Sequence, residues 1–260
     1  MSALPSRVLI VPAAGQGTRL GGSRPKALTP VNGTPMIQHV LERHRGRVAL
    51  AVAVVRPGLE GEIEAVGRDA GVPVRAVVQE QPTGMLDAIL LAAAEVRRAG
   101  PDAVWITWCD QVAIRPATLD ALEQACPGGE AIAFAFPTVV GPRPYIHFER
   151  DSGGRIVALR QRREGDVMPP VGESDAGLFA MSARTWREIL PAFDEAFAER
   201  GALGERNFLP FIPWLEARHP GAVRTFPCQE PIEALGINTP GDLARIEADL
   251  SAAASAGRRP

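Results

Sequence analysis

The chain of 260 residues lacks the features that would assign it to several broad classes. No apolar run reaches about 18 residues, the length a bilayer-spanning helix needs, so no membrane span is expected. The N-terminal segment MSALPSRVLIVPAAG has an apolar stretch too short for the core and cleavage site of a signal peptide. Only three cysteines occur, Cys109, Cys126 and Cys228, isolated and odd in number. Without CxxC spacing they point neither to zinc nor to a disulfide framework, and a cytoplasmic location is expected. The four histidines, His39, His44, His147 and His219, are scattered with no metal-ligand spacing. A formal net charge of −2 gives no basic field for nucleic acid, so an anionic ligand must be held by a local site. Neither an internal repeat nor a low-complexity linker interrupts the chain.

What is present reads as an ordinary soluble α/β chain, 46% apolar and 22% charged, long enough to bury a large core. Residues 7–12, 48–55, 74–79 and 103–109 are apolar, β-type runs, and the last leads into Asp110. Thr34 is placed as the N-cap of a helix with Pro35 at its first position. Residues 84–99 have helical spacing and stop at Gly100-Pro101. Strands alternating with helices predict a parallel sheet, whose ligands bind beyond the carboxyl ends of its strands. The second half changes character. Strands are expected at 131–136, 145–150, 155–160 and 174–181, with Asp151-Ser152-Gly153-Gly154 as a hairpin turn. Helices are expected at 184–199, at 206–218 with Pro210 and Pro213 interrupting, and at 240–254 with Thr239 as its cap. The expectation is one domain over 1–250, divided at 7–125 and 126–250, and a flexible tail over 251–260.

The densest chemical signal follows the first strand. Val8, Leu9, Ile10 and Val11 break into Ala13-Ala14-Gly15-Gln16-Gly17-Thr18-Arg19, and Pro25-Lys26 comes soon after. A glycine-rich loop after a buried strand brings backbone N–H groups close to a ligand, and two cations beside it suit a polyphosphate. The P-loop pattern does not fit, because no GK[ST] follows the second glycine. The dinucleotide fingerprint fails too, since Leu20 stands where its third glycine belongs. Gly15 and Gly17 alone favour a tight βα turn; Arg19, Pro25 and Lys26 in register turn the balance to the ligand reading.

The string AAGQGTRLGGSRPKAL resembles the signature loop of the nucleotidylyltransferases that make nucleotide sugars from sugar 1-phosphates. In pattern it is similar to the uridylyltransferase domains acting on N-acetylglucosamine 1-phosphate and to their thymidylyltransferase relatives. The likeness covers roughly residues 7–250 in five patches. It implies a Rossmann-like nucleotidyltransferase (GT-A-like) fold, with a mixed, mostly parallel central sheet flanked by helices. It implies that Ala13 to Arg19 and Lys26 hold the triphosphate. Gln79 and Gly84, in QEQPTGM with Met85 next, would read the base, and Asp110 with Asn238 would hold Mg²⁺. Arg19, Lys26 and Asp110 are the implied catalytic residues. Tyr145, Gln161, Asp175 and Gly177 fall on the acceptor side, where the chain departs from the pattern. Gln161 stands for the relatives' Glu and Asp175 for their Asn, and Arg160-Gln161-Arg162-Arg163 is unusually basic. That basic run reads either as a solvated strand end or as a site for an acceptor with extra anionic charge.

The expected activity is attack by an acceptor phosphate or phosphonate oxygen on the α-phosphorus of a nucleoside triphosphate, with pyrophosphate leaving. UTP or dTTP is favoured. The expected partners are that triphosphate and a phosphorylated small-molecule acceptor, with no nucleic acid or membrane; a homo-oligomer is compatible with the sequence. Three alternatives stay open. One is cytidylyl transfer to a phosphonate, polyol phosphate or choline phosphate. Another is guanylyl transfer, which Gln79 and Gly84 disfavour. The third is a regulator that binds nucleotide without turnover.

Overall fold

The computed structural model describes residues 6–21, 24–197 and 204–256. β1 (Arg7–Pro12) is buried at every position, as a strand covered on both faces must be. A short hairpin follows, β2 (Pro30–Val31) and β3 (Thr34–Pro35), turned at Asn32-Gly33, both with positive φ. Asn-Gly is the pair that such two-residue turns favour. α1 (Met36–His44) begins only after this hairpin. Thr34, expected as the helix cap, is therefore a hairpin residue paired with Val31, and Pro35 stands just before the first turn.

β4 (Leu50–Val55), α2 (Glu60–Ala70) and β5 (Val74–Val78) come next. The helix expected over 84–99 is two, α3 (Met85–Leu91) and α4 (Ala93–Ala99). Between them the Ala92 N–H bonds back to Ile89, a three-residue step that tightens the turn. β6 (Ala103–Thr107) ends the first half. β1 pairs in parallel with β4 and β6, and β4 with β5.

In the second half α5 (Pro116–Ala125) leads to the long β7 (Phe134–Pro142). β8 (Ile146–Arg150) and β9 (Ile156–Gln161) form a separate hairpin, turned as expected at 151–154, where the Asp151 carboxylate accepts from the Gly153 and Arg155 N–H groups. The strand expected over 174–181 is two, β10 (Val171–Asp175) and β11 (Leu178–Ser182), broken at Ala176-Gly177. α6 (Leu190–Ala196) follows a wide π turn over Thr185–Ile189; the end of the helix expected to 199 lies outside the described residues. α7 (Phe211–Arg218) starts after Pro210, later than the predicted 206, and carries Pro213 in its first turn, where a missing N–H costs nothing. β12 (Val223–Pro227) and α8 (Pro240–Ala256) close the chain.

The main sheet runs β10-β7-β11-β6-β1-β4-β5, with β12 also on β7. β10 and β11 are antiparallel to β7, and β11 to β6; β12 is parallel to β7. α8 does not stop at 254. Its far half is held to the β2–β3 hairpin by Asn32, whose side chain donates to Glu247 O and Ser251 Oγ, and whose N–H donates to the Glu247 carboxylate. Residues 251–256, expected in a tail, are therefore helical; the rest of that segment lies outside the described residues. Among the described residues no helix is long and apolar enough to cross a membrane.

Alternation along β1 feeds two cores. Leu9 and Val11 face one side with Met36, Ile37 and Trp105, while Val8 and Ile10 face the other with the phenylalanines. Phe134 sits at the centre of that second core. Its ring lies 5.5–6.2 Å from those of Phe136, Phe179, Phe208 and Phe211, and it is fully buried. Phe134→Ala is expected to lower the unfolding free energy in urea by about 3–5 kcal/mol, the usual cost of deleting a buried ring. A change within about 0.5 kcal/mol, typical of a surface site, would place the second core elsewhere.

Candidate active site

The chain leaves β1 still paired: the Ala13 N–H donates to Val54 O, and Ala13 is fully buried. From Ala14 the loop rises to the surface, with Gly15, Gln16, Thr18 and Arg19 exposed. The two glycines differ. Gly17 has φ of 68°, and a Cβ there would lie 3.1 Å from the Lys26 Cβ, so Gly17 lets the loop fold back onto Lys26. Around Gly15 a Cβ would meet nothing within 4 Å; its carbonyl accepts from the Lys26 N–H. Thr18–Leu20 and Lys26–Leu28 are single 3-10 turns that hold Arg19 and Lys26 on the same side of the loop.

Asp110 stands three residues beyond the end of β6, and Asn238 just before α8. Thr239 caps α8 as expected, its hydroxyl accepting from the Asp242 N–H. The Asp242 carboxylate in return accepts from the N–H groups of Asn238 and Thr239, which fixes the backbone carrying the amide. The Asn238 side-chain NH₂ donates to Gly236 O, turning Oδ1 toward Lys26. The Lys26 ammonium then bridges two oxygens, Asp110 Oδ2 at 2.5 Å and Asn238 Oδ1 at 3.0 Å, and Arg19 reaches the same Asn238 oxygen at 3.4 Å. A Cβ at position 236 would sit 2.9 Å from Asp110 Oδ2, so a side chain there would displace this carboxylate from its place. Loop, strand end and helix start thus converge on one small cation position.

The donor set suits a hard divalent cation. A carboxylate and an amide oxygen already share one positive charge, and Mg²⁺ commonly takes one or two protein oxygens and completes its shell with phosphate and water. Among the described residues no cluster of three or more His, Cys, Asp or Glu is gathered to hold a metal unaided. Cys109, beside Asp110, is held as a thiol: burial, reinforced by the aspartate's charge, pushes it up to about 12.

On the expected base side, Gln79 and Gly84 do come together, the Gln79 amide donating to Gly84 O at 3.3 Å. The glycine is required for a reason the sequence did not show. Its φ is 123°, and a Cβ would lie 2.4 Å from the backbone of Arg206. Arg206 runs alongside, its N–H donating to Thr83 O and its carbonyl accepting from the Leu86 N–H, while its guanidinium pairs with Asp87 and Asp194. Met85 opens α3 and packs on the second core.

On the expected acceptor side, Gln161 is buried at the end of β9, and Asn207 donates to its Oε1 at 2.6 Å. Asn207 was not among the predicted residues; it lies in a segment read as helix. Tyr145, just before β8, is half exposed, its carbonyl accepting from the Arg162 N–H. Asp175 accepts from the Gly177 N–H. Gly177, with φ of 66°, has Trp108 and Gln111 within 2.8 Å of where its Cβ would be, and its carbonyl accepts from Trp108 N–H and Thr107 Oγ1. The break between β10 and β11 is thereby stitched to the turn that carries Asp110. His147 is engaged in structure, its Nδ1 accepting from the Glu173 N–H. The basic run is tied to the chain itself: Arg160 pairs with Glu149, Arg163 with Glu164 and Glu205, and Arg162 donates to Pro144 O.

A mixed sheet of this order, with its loop and acid at the strand ends, is an α/β nucleotidyltransferase fold. Residues 9–196 match the MobA-like NTP transferase domain, and the chain belongs to that family. It is also similar to proteins named "Bifunctional protein GlmU". The one from Azorhizobium caulinodans is 32% identical over 252 residues, covering 94% of this chain and 53% of that protein. The one from Agrobacterium fabrum is 31% identical over 194 residues, with 71% and 41% covered. The one from Bradyrhizobium sp. is 29% identical over 249 residues, with 95% and 54% covered. The chain spans about half the length of the curated relatives it matches.

Burial pushes the Asp175 carboxyl up from 3.8 to about 6, against the opposing pull of the Gly177 N–H. A carboxyl raised in the folded state keeps its proton longer there than in the unfolded chain. Its ionisation therefore costs stability progressively as pH rises from 3.8 to about 6, and fully above that. Asp175→Asn retains the acceptor oxygen for Gly177 and removes the charge. The variant is expected to unfold at higher urea than the parent at about pH 8, with the gap closing by about pH 4. A gap independent of pH would show that the carboxyl titrates normally.

Proposed function

We propose that the chain is a Mg²⁺-dependent nucleotidylyltransferase that joins a pyrimidine nucleoside triphosphate, UTP or dTTP, to a sugar 1-phosphate-like acceptor and releases pyrophosphate. The observation that carries this reading is the meeting of Lys26, Asp110 and Asn238, 84 and 212 residues apart, beside an exposed glycine loop. The reading treats 1–250 as one nucleotidyltransferase domain working in the cytoplasm.

In the proposed mechanism an acceptor phosphate oxygen attacks the α-phosphorus. A new P–O bond forms, the α–β bridging bond breaks, and its electron pair leaves with pyrophosphate. The nucleophile is anionic at neutral pH, so no general base is needed, and catalysis rests on positioning and charge neutralisation. The backbone from Ala14 to Thr18 lies open to the triphosphate. Arg19 and Lys26 neutralise its charge and that of the leaving group. Asp110 and Asn238 would hold the divalent ion, which when bound polarises the α-phosphate. Gln79 offers its amide to the base, and Gln161, Asn207 and Asp175 line the acceptor side.

One observation favours a second reading of the acceptor. Among the described residues no arginine or lysine forms a salt bridge with Asp175, whose carboxylate accepts a hydrogen bond from the Gly177 N–H. A half-buried carboxylate without a cation suits a ligand that brings one, which supports cytidylyl transfer to choline phosphate or a similar aminoalkyl phosphate.

Pyrophosphate release from UTP, dTTP, CTP and GTP against a panel of sugar 1-phosphates and choline phosphate tests both readings. Turnover with a pyrimidine triphosphate and a sugar 1-phosphate is expected. In that assay Asp110→Ala and Lys26→Ala should each fall by about 100- to 1,000-fold, the usual loss on removing one electrostatic donor. A folded Asp110→Ala variant with near-parental rate would refute the role given to this carboxylate.

A further inference from the structure

The Lys26 ammonium stands where a divalent ion would bind. It is 2.5 Å from Asp110 Oδ2 and 3.0 Å from Asn238 Oδ1, the two oxygens that suit the metal, and the Lys26 and Asp110 side chains are only 15% and 10% exposed. An ammonium and a divalent ion cannot share this pair of oxygens. Coulomb repulsion between them is strong at such spacing, and a partly buried site screens it poorly. The lysine also has somewhere else to go. Its backbone is fixed to the glycine loop by the Gly15 carbonyl and by close packing on Gly17, so its four-carbon stem pivots from a rigid base beside the exposed loop.

We propose that Lys26 is a built-in competitor for the metal site, and that the triphosphate is what draws it off. With no nucleotide bound, the ammonium neutralises Asp110 and keeps divalent ions out. When a triphosphate settles on the loop, its oxygens attract the ammonium, and Asp110 and Asn238 are released to the ion. The site then takes metal together with nucleotide rather than before it. This inference rests on the nucleotidyltransferase reading and adds an order of loading to it. The lysine contributes twice with one charge, which a merely structural salt bridge would not do.

The experiment compares Mn²⁺ binding, read from the loss of the free-ion electron paramagnetic resonance signal, with no nucleotide present. The parent, Lys26→Met, Lys26→Arg and the double variant Lys26→Met/Asp110→Asn are measured, each checked for folding by circular dichroism. Lys26→Met is expected to bind Mn²⁺ at least about fivefold more tightly than the parent, the low end of a typical coupling between sites. Lys26→Arg should stay near the parent, since it keeps the competing charge, and the double variant should lose the gain. Equal affinity in the parent and Lys26→Met overturns the inference, as does a gain that survives in the double variant. Calorimetry of UTP and dTTP with Mg²⁺ on the parent separates the two levels. If a triphosphate binds but Lys26→Met gains nothing, only the loading order falls. If neither UTP nor dTTP binds, the uridylyl or thymidylyl reading falls, and the same calorimetry with CTP and GTP decides whether the loading order falls with it.

Discussion

The Asp110 carboxylate and the Asn238 amide oxygen face each other across a gap that requires a positive charge. Asp110 is 7% exposed, and a carboxylate taken so far from water is costly unless a cation meets it. Lys26 supplies that cation, and much of the surrounding backbone is shaped to let it. Gly17, at φ of 68°, folds the loop back onto Lys26, and Gly236 leaves the Asp110 carboxylate in its place. The Asp242 carboxylate holds the Asn238 backbone while capping α8, so the start of the last helix is committed to the site that the first strand opens.

The walls on either side are joined to this centre through backbone rather than through long side chains. The Gly177 carbonyl accepts from the Trp108 N–H at the Asp110 turn, and Gly84 lets the Arg206 backbone approach more closely than a side chain would permit. Glycine at a sheet break or a helix start normally marks a turn. Here it marks places where two chain segments touch directly. On the proposed reading this is what keeps donor and acceptor within reach of one ion without a dedicated metal cage.

The parts of the molecule legible in the sequence are those whose signal is local. β1, β6 and the hairpin at 151–154 follow from apolar runs and turn residues, and the loop with Lys26 and Asp110 follows from its pattern. α2 and α5 escaped because their apolar stripes are thin: α2 buries Ile63, Val66, Gly67 and Ala70, and α5 only Thr118, Leu119 and Leu122. Each did carry an end signal, acidic residues in the first turn and Gly71 after the last for α2, and Pro116 at the start of α5. β12 escaped because every residue in it is half-buried or exposed, leaving no apolar run to find. Asn207 escaped for a different reason. Its role depends on Gln161, 46 residues away, and nothing local at position 207 announces a partner at that distance.

The basic run at 160–163 shows why placement outweighs count. Three arginines flanking Gln161 suggest a field for an anionic acceptor, yet Arg160 and Arg163 are matched by carboxylates of the same chain, and Arg162 is directed to a backbone carbonyl. What faces inward beside them is an amide pair, Gln161 with Asn207, and the carboxyl of Asp175. Amides bring both donors and acceptors and carry no charge, so they discriminate by hydrogen-bond geometry rather than by attraction. A pocket that hydrogen-bonds a hydroxyl rejects an analogue lacking it far more strongly than an apolar pocket rejects a missing methylene, because the unmet amide stays buried. Selectivity for the acceptor, on the proposed reading, is therefore set by these neutral contacts and by whether Asp175 meets a hydroxyl or an ammonium. The charged residues that stand out in the sequence serve instead to hold the β8–β9 hairpin in place around them.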